Sequence, residues 1–131
     1  MCVFCKIISG EFPSYKIYED EKTLAFLDID PVHAGHALVV PKAHYDNIEA
    51  TPEAELSAVM ATVKKVGALL KDKLGAPGYN INENNDPVAG QVVSHLHFHL
   101  IPRYADDGLE LWPKQGYQAG EAAAVLKKLL S

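Results

Sequence analysis

The sequence predicts an α+β fold, in which a five-stranded antiparallel sheet is covered by one long helix and followed by a short C-terminal helix. Three patterns support this prediction: short strand-like runs, one long segment with apolar residues at helical spacing, and a shorter amphipathic segment at the end of the chain. A length of 131 residues fits a single domain over residues 1–131.

The first three strands lie in the first third of the chain. Residues 16–19 and 22–28 are short apolar–polar runs that flank two acidic residues, which is typical of a hairpin. Residues 36–40 form an apolar run that predicts a third, buried strand, and Pro41 ends it because proline cannot donate to a sheet ladder.

The long helix is predicted to follow Thr51. This threonine is suited to the N-cap, Pro52 to the first helical position and Gly75 to the C-terminal stop. The apolar residues predicted to share the buried face are Leu56, Val59, Met60, Val63, Val66, Leu69 and Leu70.

The last two strands are predicted on either side of a polar loop. Residues 79–82 form a short strand, residues 84–90 a loop rich in Asn, Asp and Gly, and residues 92–101 a longer strand that Pro102 closes.

An irregular tail, residues 104–120, leads to the C-terminal helix, residues 121–130. The apolar residues of this helix are predicted to face inward, namely Val125, Leu126, Leu129 and Leu130.

Composition and charge exclude several classes of protein. The formal net charge is -5 and the pI is about 5.6, which argues against broad nucleic-acid binding because that function needs a basic face. No apolar run approaches the length of a membrane span, and the N-terminus lacks the pattern of a signal peptide. We therefore expect a cytoplasmic protein that does not bind membranes.

Three of the six histidines occur in the run His95-Leu96-His97-Phe98-His99. On a strand, alternate side chains point to opposite faces, so the three histidines share one face and the apolar residues share the other. A purely structural role is disfavoured, because several buried imidazoles together leave many ring nitrogens that need partners. The histidine face is therefore predicted to meet a ligand or a metal.

Two chemistries fit this face. Neutral imidazole, abundant near neutral pH, is a good nucleophile toward phosphorus, and a neighbouring histidine can donate to a phosphate oxygen or protonate a leaving group. Alternatively, His-x-His on a strand can hold a catalytic zinc with an open water position, as in tri-histidine metallohydrolases. Spacing alone leaves both open.

The run from Gly90 to Arg103 resembles the signature of the histidine triad (HIT) family, in which three histidines alternate with apolar residues. Further blocks of this chain are similar to that family's in the same order, and together they cover residues 2–104, with residues 105–131 as a C-terminal tail. These blocks are Phe4-Cys5-Lys6-Ile7-Ile8, Tyr18-Glu19-Asp20, Leu24-Ala25-Phe26-Leu27-Asp28-Ile29 and Gly35-His36-Ala37-Leu38-Val39-Val40-Pro41-Lys42-Ala43-His44.

The resemblance implies a catalytic set made of His97, His99, His95 and His36. In this interpretation His97 is the nucleophile and forms a nucleotidyl-histidine intermediate that water hydrolyses. His99 contacts the phosphate, and His36 helps to set the hydrogen bonding of the triad.

The same resemblance implies a nucleotide site. Asp28 would accept hydrogen bonds from the ribose hydroxyls, and Asn84 and Gln91 would line the phosphate site together with His99. The apolar walls around the base, purine by resemblance, would be Phe4, Ile7, Phe12, Phe26 and Ile29.

The substrate class stays open at this stage. Val92 stands where the purine phosphoramidase branch of the family has a serine, while Pro102-Arg103 and the long tail are more similar to bacterial and polyphosphate-cleaving branches. Nucleoside phosphoramidates and diadenosine polyphosphates are both candidates for hydrolysis or nucleotidyl transfer at the α-phosphorus. A non-catalytic nucleotide-binding protein is the remaining alternative.

Cys2 and Cys5 form a C-x-x-C pair, which in a reducing compartment indicates metal binding or redox chemistry. With His44 and His95 they could complete a tetrahedral zinc site, and some proteins that this chain resembles bind structural zinc in this way. The resemblance also implies a homodimer that joins two sheets through the long helix and the region of Tyr79.

Overall fold

The computed structural model describes residues 2–131 as a five-stranded antiparallel sheet with three α-helices. The strands are arranged in the order β1-β2-β3-β5-β4. The elements in chain order are α1 Val3–Ile8, β1 Lys16–Glu19, β2 Thr23–Leu27, β3 Ala37–Pro41, α2 Glu53–Leu74, β4 Gly78–Glu83, a 3₁₀ turn at Pro87–Ala89, β5 Phe98–Arg103 and α3 Glu121–Leu130. The predicted fold class is confirmed.

The two faces of the sheet have different partners. One face packs against α2, and the core between them contains Val39 and Leu100 of the sheet and Val59 of α2. The opposite face carries Phe26 and Leu38, which pack with Phe4 of α1. The alternation of side chains along β2 and β3 therefore supplies both a structural core and a second apolar surface beneath α1.

The long helix α2 has the predicted extent but a different start. It begins at Glu53, with Pro52 at the N-cap position, so the prediction of Thr51 as N-cap was wrong by one residue. The Thr51 hydroxyl instead donates to the carbonyl oxygen of Asn47 at 2.8 Å. Gly75 ends the helix in the left-handed conformation, φ 70°, as predicted.

Two residues predicted on the buried face of α2 are exposed. Met60 is 38% exposed and Leu69 is 36% exposed. Thr62 and Gly67 are buried in this helix instead. The tyrosine ring of Tyr79 lies so close to Gly67 that a Cβ there would be 2.2 Å from its hydroxyl oxygen. A glycine therefore allows α2 to approach β4.

The predicted strand over residues 92–101 was too long at one end and too short at the other. Only Phe98–Arg103 is in the sheet. Phe98 pairs with Val39 on one side and with Glu83 on the other, which are the last paired positions. Before Phe98 the chain has no strand partner, so it is irregular. After Leu100, β5 is hydrogen-bonded only to β4, and Pro102 is tolerated there because proline's missing N–H can face the unpaired side.

The N-terminal helix α1 was not predicted. It is six residues long, too short for a periodic signal to emerge. The Cys2 sulfur caps it by accepting a hydrogen bond from the backbone N–H of Cys5 at 3.4 Å. This helix covers the second apolar surface of the sheet and becomes one wall of the site described below.

The C-terminal helix forms as predicted, but its apolar residues do not face inward. Val125, Leu126, Leu129 and Leu130 are 38%, 55%, 76% and 77% exposed. Every residue of α3 is exposed, so the amphipathic pattern predicted the helix but not its packing. Over residues 2–131, no helix is both long enough and apolar enough to cross a membrane.

Candidate active site

A cavity of about 870 Å³ lies between α1, the end of β2 and the irregular segment before β5. Most of the residues expected to surround a nucleotide line it. They are Phe4, Ile7, Phe12, Phe26, Asp28, Ile29, Asn84, His97 and His99, joined by Val3, Pro13, Ser14, Tyr15, Leu27, Asp30, Leu38, Gly90, Val92 and Val93.

The walls and the rim of this cavity differ in exposure. Phe4 and Phe26 are buried and meet edge to face at 5.6 Å between ring centroids. Phe12 is 40% exposed and Ile29 is 89% exposed, so they form an open rim instead of a closed wall. A flat apolar ring could enter between these surfaces while its polar edge stays hydrated.

His97 lies at the inner end of the cavity and is only 7% exposed. Its Nδ1–H donates to the backbone carbonyl oxygen of His95 at 2.7 Å. This bond places the proton on Nδ1 and leaves the lone pair on Nε2. Burial lowers the pKa of His97, so the neutral form persists below the usual range of a histidine.

His99 and His36 form a hydrogen-bonded pair beside His97. The backbone N–H of Val32 donates to His36 Nδ1 at 3.1 Å, which places the imidazole proton on Nε2. That Nε2–H donates to His99 Nδ1 at 3.0 Å. His99 therefore carries its own proton on Nε2, and this ring lines the cavity, where an N–H can meet a phosphate oxygen.

Burial lowers the pKa values of both members of this pair. The pKa of His99 falls to about 4, with further contributions from His97 and His36. The pKa of His36 is lowered by burial and partly restored by Asp28, whose Oδ2 is 3.6 Å from His36 Nε2. The donor that faces the cavity is thus a neutral imidazole.

Asp28 and Asn84 lie on the cavity wall, as expected for residues that contact a nucleotide. One carboxylate oxygen of Asp28 accepts a hydrogen bond from the backbone N–H of Asp30 at 2.9 Å. The other retains lone pairs for further donors. The Asn84 side chain lies beside Gly90, which belongs to the same connection between β4 and β5.

Gln91 does not line the cavity. Its amide nitrogen donates to the carbonyl oxygens of Asp46 and Val93, and its amide oxygen accepts from the N–H of Asp86 at 2.7 Å. Every polar group of this side chain is therefore engaged with loop backbone. Gln91 therefore holds loop backbone segments together and does not reach the cavity.

His95 is turned away from the other two triad histidines. It is fully buried, and its Nε2–H donates to the carbonyl oxygen of Pro41 at 2.8 Å. Its Nδ1 faces the sulfur atoms of Cys2 and Cys5 at 3.4 and 3.6 Å and His44 Nδ1 at 3.2 Å. The three histidines therefore do not converge on one point, which argues against a tri-histidine metal centre.

The four side chains Cys2, Cys5, His44 and His95 form a cluster in which all ligand atoms lie within 4.8 Å of one another. His44 Nε2–H donates to Asp46 at 2.9 Å, so both histidines present an unprotonated Nδ1 to the two thiols. A tetrahedral zinc with bonds of ~2.0 Å to nitrogen and ~2.3 Å to sulfur separates its ligand atoms by roughly 3.3–3.8 Å. Four of the six distances between the ligand atoms are 3.2–3.6 Å, close to that range.

Three residues near the site were missed by the sequence analysis. His33, in the loop between β2 and β3, is bonded to Asp107 at 3.3 Å. Arg103 Nε also bonds to Asp107, at 2.7 Å. The spacing of Arg103 and Asp107 gave a local signal for that pair, whereas nothing in the sequence linked either residue to His33.

The apolar cavity could hold a small ligand with a flat ring next to His97, whose Nε2 lone pair is free. A sequence profile of the HIT domain matches residues 9–106. An uncharacterised HIT-like protein of Methanocaldococcus jannaschii is 57% identical over 108 residues, 82% of this chain and 83% of that protein.

Two further proteins are similar over nearly the whole chain. An adenosine 5'-monophosphoramidase of Candida albicans is 42% identical, with 98% of this chain and 88% of that protein covered. The crystal structure of a zinc-bound histidine triad family protein from Mycobacterium smegmatis superposes with a TM-score of 0.80 at 36% identity, with 98% and 92% covered. The chain belongs to the HIT family.

Proposed function

We propose that this protein hydrolyses a nucleoside phosphoramidate at the α-phosphorus through a covalent nucleotidyl-histidine intermediate. His97 Nε2 attacks phosphorus, a P–Nε2 bond forms, and the P–N bond to the amine breaks as the amine takes a proton from solvent. Water then attacks the same phosphorus and gives up a proton to solvent, the P–Nε2 bond breaks with its electron pair returning to Nε2, and the nucleoside monophosphate is released. The observation that carries the proposal is the hydrogen bond from His97 Nδ1–H to the carbonyl oxygen of His95, which aims the lone pair at the ligand.

Charge on the phosphoryl oxygens would be stabilised by neutral donors. His99 Nε2–H and the Asn84 amide both line the inner end of the cavity. Because the hydrogen bond from His36 holds the His99 ring in place before the substrate arrives, its N–H costs little reorganisation as charge develops on oxygen.

The cavity favours a phosphoramidate over a diadenosine polyphosphate. Among the described residues that line it there is no Lys or Arg, while Asp28 and Asp30 are present. A polyphosphate leaving group brings several negative charges and needs cationic partners. An amine leaving group brings none, and the name of the Candida relative, adenosine 5'-monophosphoramidase, agrees with this choice. We propose a purine base, because the walls offer a wide apolar slot.

We also propose one structural zinc ion per chain at Cys2, Cys5, His44 and His95. The donor spacings and the two unprotonated Nδ1 atoms fit a closed tetrahedral site. Burial and the facing Cys2 thiol raise the pKa of Cys5, and a divalent cation between the two sulfurs would favour the thiolates. When bound, zinc would fasten α1 to the loop before β5 and leave His97 free for chemistry.

The experiment that tests the catalytic proposal combines a substrate panel with a nucleophile variant. Wild-type protein is mixed with adenosine 5'-phosphoramidate and with diadenosine polyphosphates, and released mononucleotide is followed by chromatography. His97→Ala should lose nearly all turnover, because His99, the other imidazole on the cavity wall, has no free lone pair: its Nδ1 is bonded to His36 and its Nε2 carries the proton. The variant should still bind adenosine monophosphate in calorimetry.

Rapid quenching followed by peptide mass spectrometry should also find a nucleotidyl adduct on His97 in the wild type. Lys64→Ala serves as the control, since Lys64 is exposed on α2 and lies outside the cavity. A His97→Ala protein with near-normal turnover would refute the nucleophile, and binding without turnover by the wild type would favour a non-catalytic nucleotide-binding protein.

A further inference from the structure

The carboxylate of Asp107 lies just beyond residue 106, where the match to the HIT domain ends. Its side chain is only 6% exposed. It accepts hydrogen bonds from both the Nε and an Nη of Arg103, at 2.7 and 3.1 Å, and from two backbone N–H groups, at 3.1 Å each. These bonds make the turn after β5 a rigid unit anchored to the sheet.

The same carboxylate reaches a different part of the chain. Its Oδ2 lies 3.3 Å from His33 Nε2, and the His33 ring packs edge to face on Tyr104 at 5.6 Å. His33 belongs to the loop between β2 and β3, which carries Asp28 at its start and His36 at its end. The anchored turn therefore holds a loop that borders the active site.

This loop has few other attachments. Of residues 29–35, only His33 and Gly35 are not exposed. Gly35 packs against α2, where a Cβ would meet the Leu74 side chain at 2.5 Å. His33 is therefore the one side chain of the loop that bonds it to the rest of the fold, among the contacts described for residues 2–131.

The position of His33 bears directly on the proton of His36. The N–H of His36 donates to the carbonyl oxygen of His33 at 3.0 Å, and the neighbouring Val32 N–H donates to His36 Nδ1 at 3.1 Å. The second bond is what keeps the His36 proton on Nε2, from which it is donated to His99. A loop that drifts would release Val32, and both tautomers of His36 would then be populated.

We infer that Asp107 is a positioning residue for catalysis: through His33 it holds the β2–β3 loop so that Val32 fixes the proton of His36 and, in turn, the donor of His99. This inference rests on the proposed reaction at His97, because His99 is assigned there to a phosphoryl oxygen. Asp107 itself touches neither the cavity nor the reacting atoms.

The first test uses His33→Ala, with His33→Gln as the rescue because a Gln amide can still donate to Asp107. In protein labelled with ¹⁵N-histidine, NMR reports which ring nitrogen of His36 carries the proton. His33→Ala should shift His36 from the pure Nε2–H form to a mixture, and His33→Gln should restore it. An unchanged His36 tautomer in His33→Ala would overturn the inference, whether or not any substrate is turned over.

The second test is kinetic. His33→Ala should lower kcat by roughly tenfold with a smaller change in KM, since misplaced catalytic donors are costly while the ribose contact at Asp28 is retained. Asp107→Asn should lower kcat as well, and the double variant should be no worse than the more severe single one, since both act through one contact. Asp106→Asn, the same change on the preceding carboxylate, is the control and should keep the wild-type kcat.

The two tests separate this inference from the proposed reaction. Additive losses in the double variant, or a kcat for His33→Ala within about twofold of wild type, would overturn the positioning role. If the wild type turns over no phosphoramidate at all, the proposed function fails, and the NMR result alone decides whether Asp107 and His33 control the His36 proton.

Discussion

At the scale of single residues, the site depends on where each imidazole carries its proton. His97, His36 and His95 each donate or accept through one ring nitrogen to a defined backbone group, and the other nitrogen faces its functional partner. Under the proposals above, one chemical group would serve three roles: a nucleophile with a free lone pair in His97, a donor that orients His99 in His36, and a metal ligand in His95. The backbone, which does not titrate, decides which role each ring takes.

Asp28 is expected to govern recognition of the ribose. Its free carboxylate lone pairs face the cavity, and a hydrogen bond to a charged acceptor contributes ~1.5–3 kcal/mol, or roughly ten- to a hundredfold in affinity. Calorimetry should show adenosine monophosphate binding more tightly than its dideoxy analogue, and Asp28→Ala should remove most of that difference. Asp30→Ala is the matched control. Equal affinity of wild type for both nucleotides would place the ribose elsewhere.

His99 is expected to make stability sensitive to acid. Because its pKa falls from 6.5 to about 4 in the fold, the unfolded chain binds a proton over that interval and the folded chain does not. Above pH 6.5 this difference in pKa costs no stability, and as the pH falls toward 4 it progressively lowers the free energy of unfolding. Urea unfolding at pH 7 and pH 5 should show a smaller loss for His99→Gln than for wild type; identical losses would contradict this.

At the scale of elements, α1 links the Cys2 end of the chain to the nucleotide cavity. Cys2 at its N-cap and Cys5 belong to the proposed zinc site, and three others, Val3, Phe4 and Ile7, line the cavity. The Phe4 ring also meets His97 edge to face at 4.9 Å. A helix of this length has little stability of its own, so its attachment must come from the cluster and from packing.

Removal of the metal should therefore affect stability before chemistry. Elemental analysis is expected to find one zinc per chain, and Cys5→Ser should lower both zinc content and Tm. Chelation should lower Tm more than initial activity and should raise KM as α1 loosens, because Phe4 and Ile7 move with it. Lys6→Ala, on the same helix, is the control. Immediate and reversible loss of kcat on chelation would instead indicate a catalytic metal.

At the scale of the whole molecule, the exposed apolar residues are not evenly spread. Met60, on the side of α2 where Gly67 meets Tyr79 of β4, is 38% exposed, and Ile81 of β4 is 49% exposed. Ile81 lies opposite Leu100, a residue on the face of the sheet that packs against α2, and β4 is an edge strand with unpaired backbone groups. We propose that a second copy of the chain covers this face and forms a homodimer.

A charge at the centre of that face should separate the protomers. In analytical ultracentrifugation, Ile81→Glu is expected to sediment as a monomer under conditions where the wild type is dimeric, because an interface core does not tolerate an unpaired carboxylate. Val88→Glu provides the control, since Val88 is fully exposed in the 3₁₀ turn. A monomeric wild type, or a dimeric Ile81→Glu protein, would contradict the proposal.

The sequence predicted those parts of the site that are encoded by local pattern. Alternation in His95-Leu96-His97-Phe98-His99 correctly placed His97 and His99 together, and both line the cavity, but it was wrong for His95, which lies outside the strand and turns to the cysteines. The positions of Asp28, Phe4, Ile7 and Phe26 followed from the family resemblance, and all of them line the cavity. Short and exposed elements were the ones that escaped: α1 was missed, and the packing of α3 was predicted wrongly.

The sequence by itself determined the fold class, the long helix and its glycine stop, and the presence of a histidine-rich face, because periodicity and turn chemistry are properties of neighbouring residues. Only the tertiary structure decided which ring nitrogen of each histidine is free, that His95 turns to the cysteines, that Gln91 braces a loop, and that Asp107 meets His33. Those outcomes depend on contacts between residues far apart in the chain, such as His36 with His99 and Cys2 with His95. Sequence spacing carries no information about such pairs until the sheet brings them together.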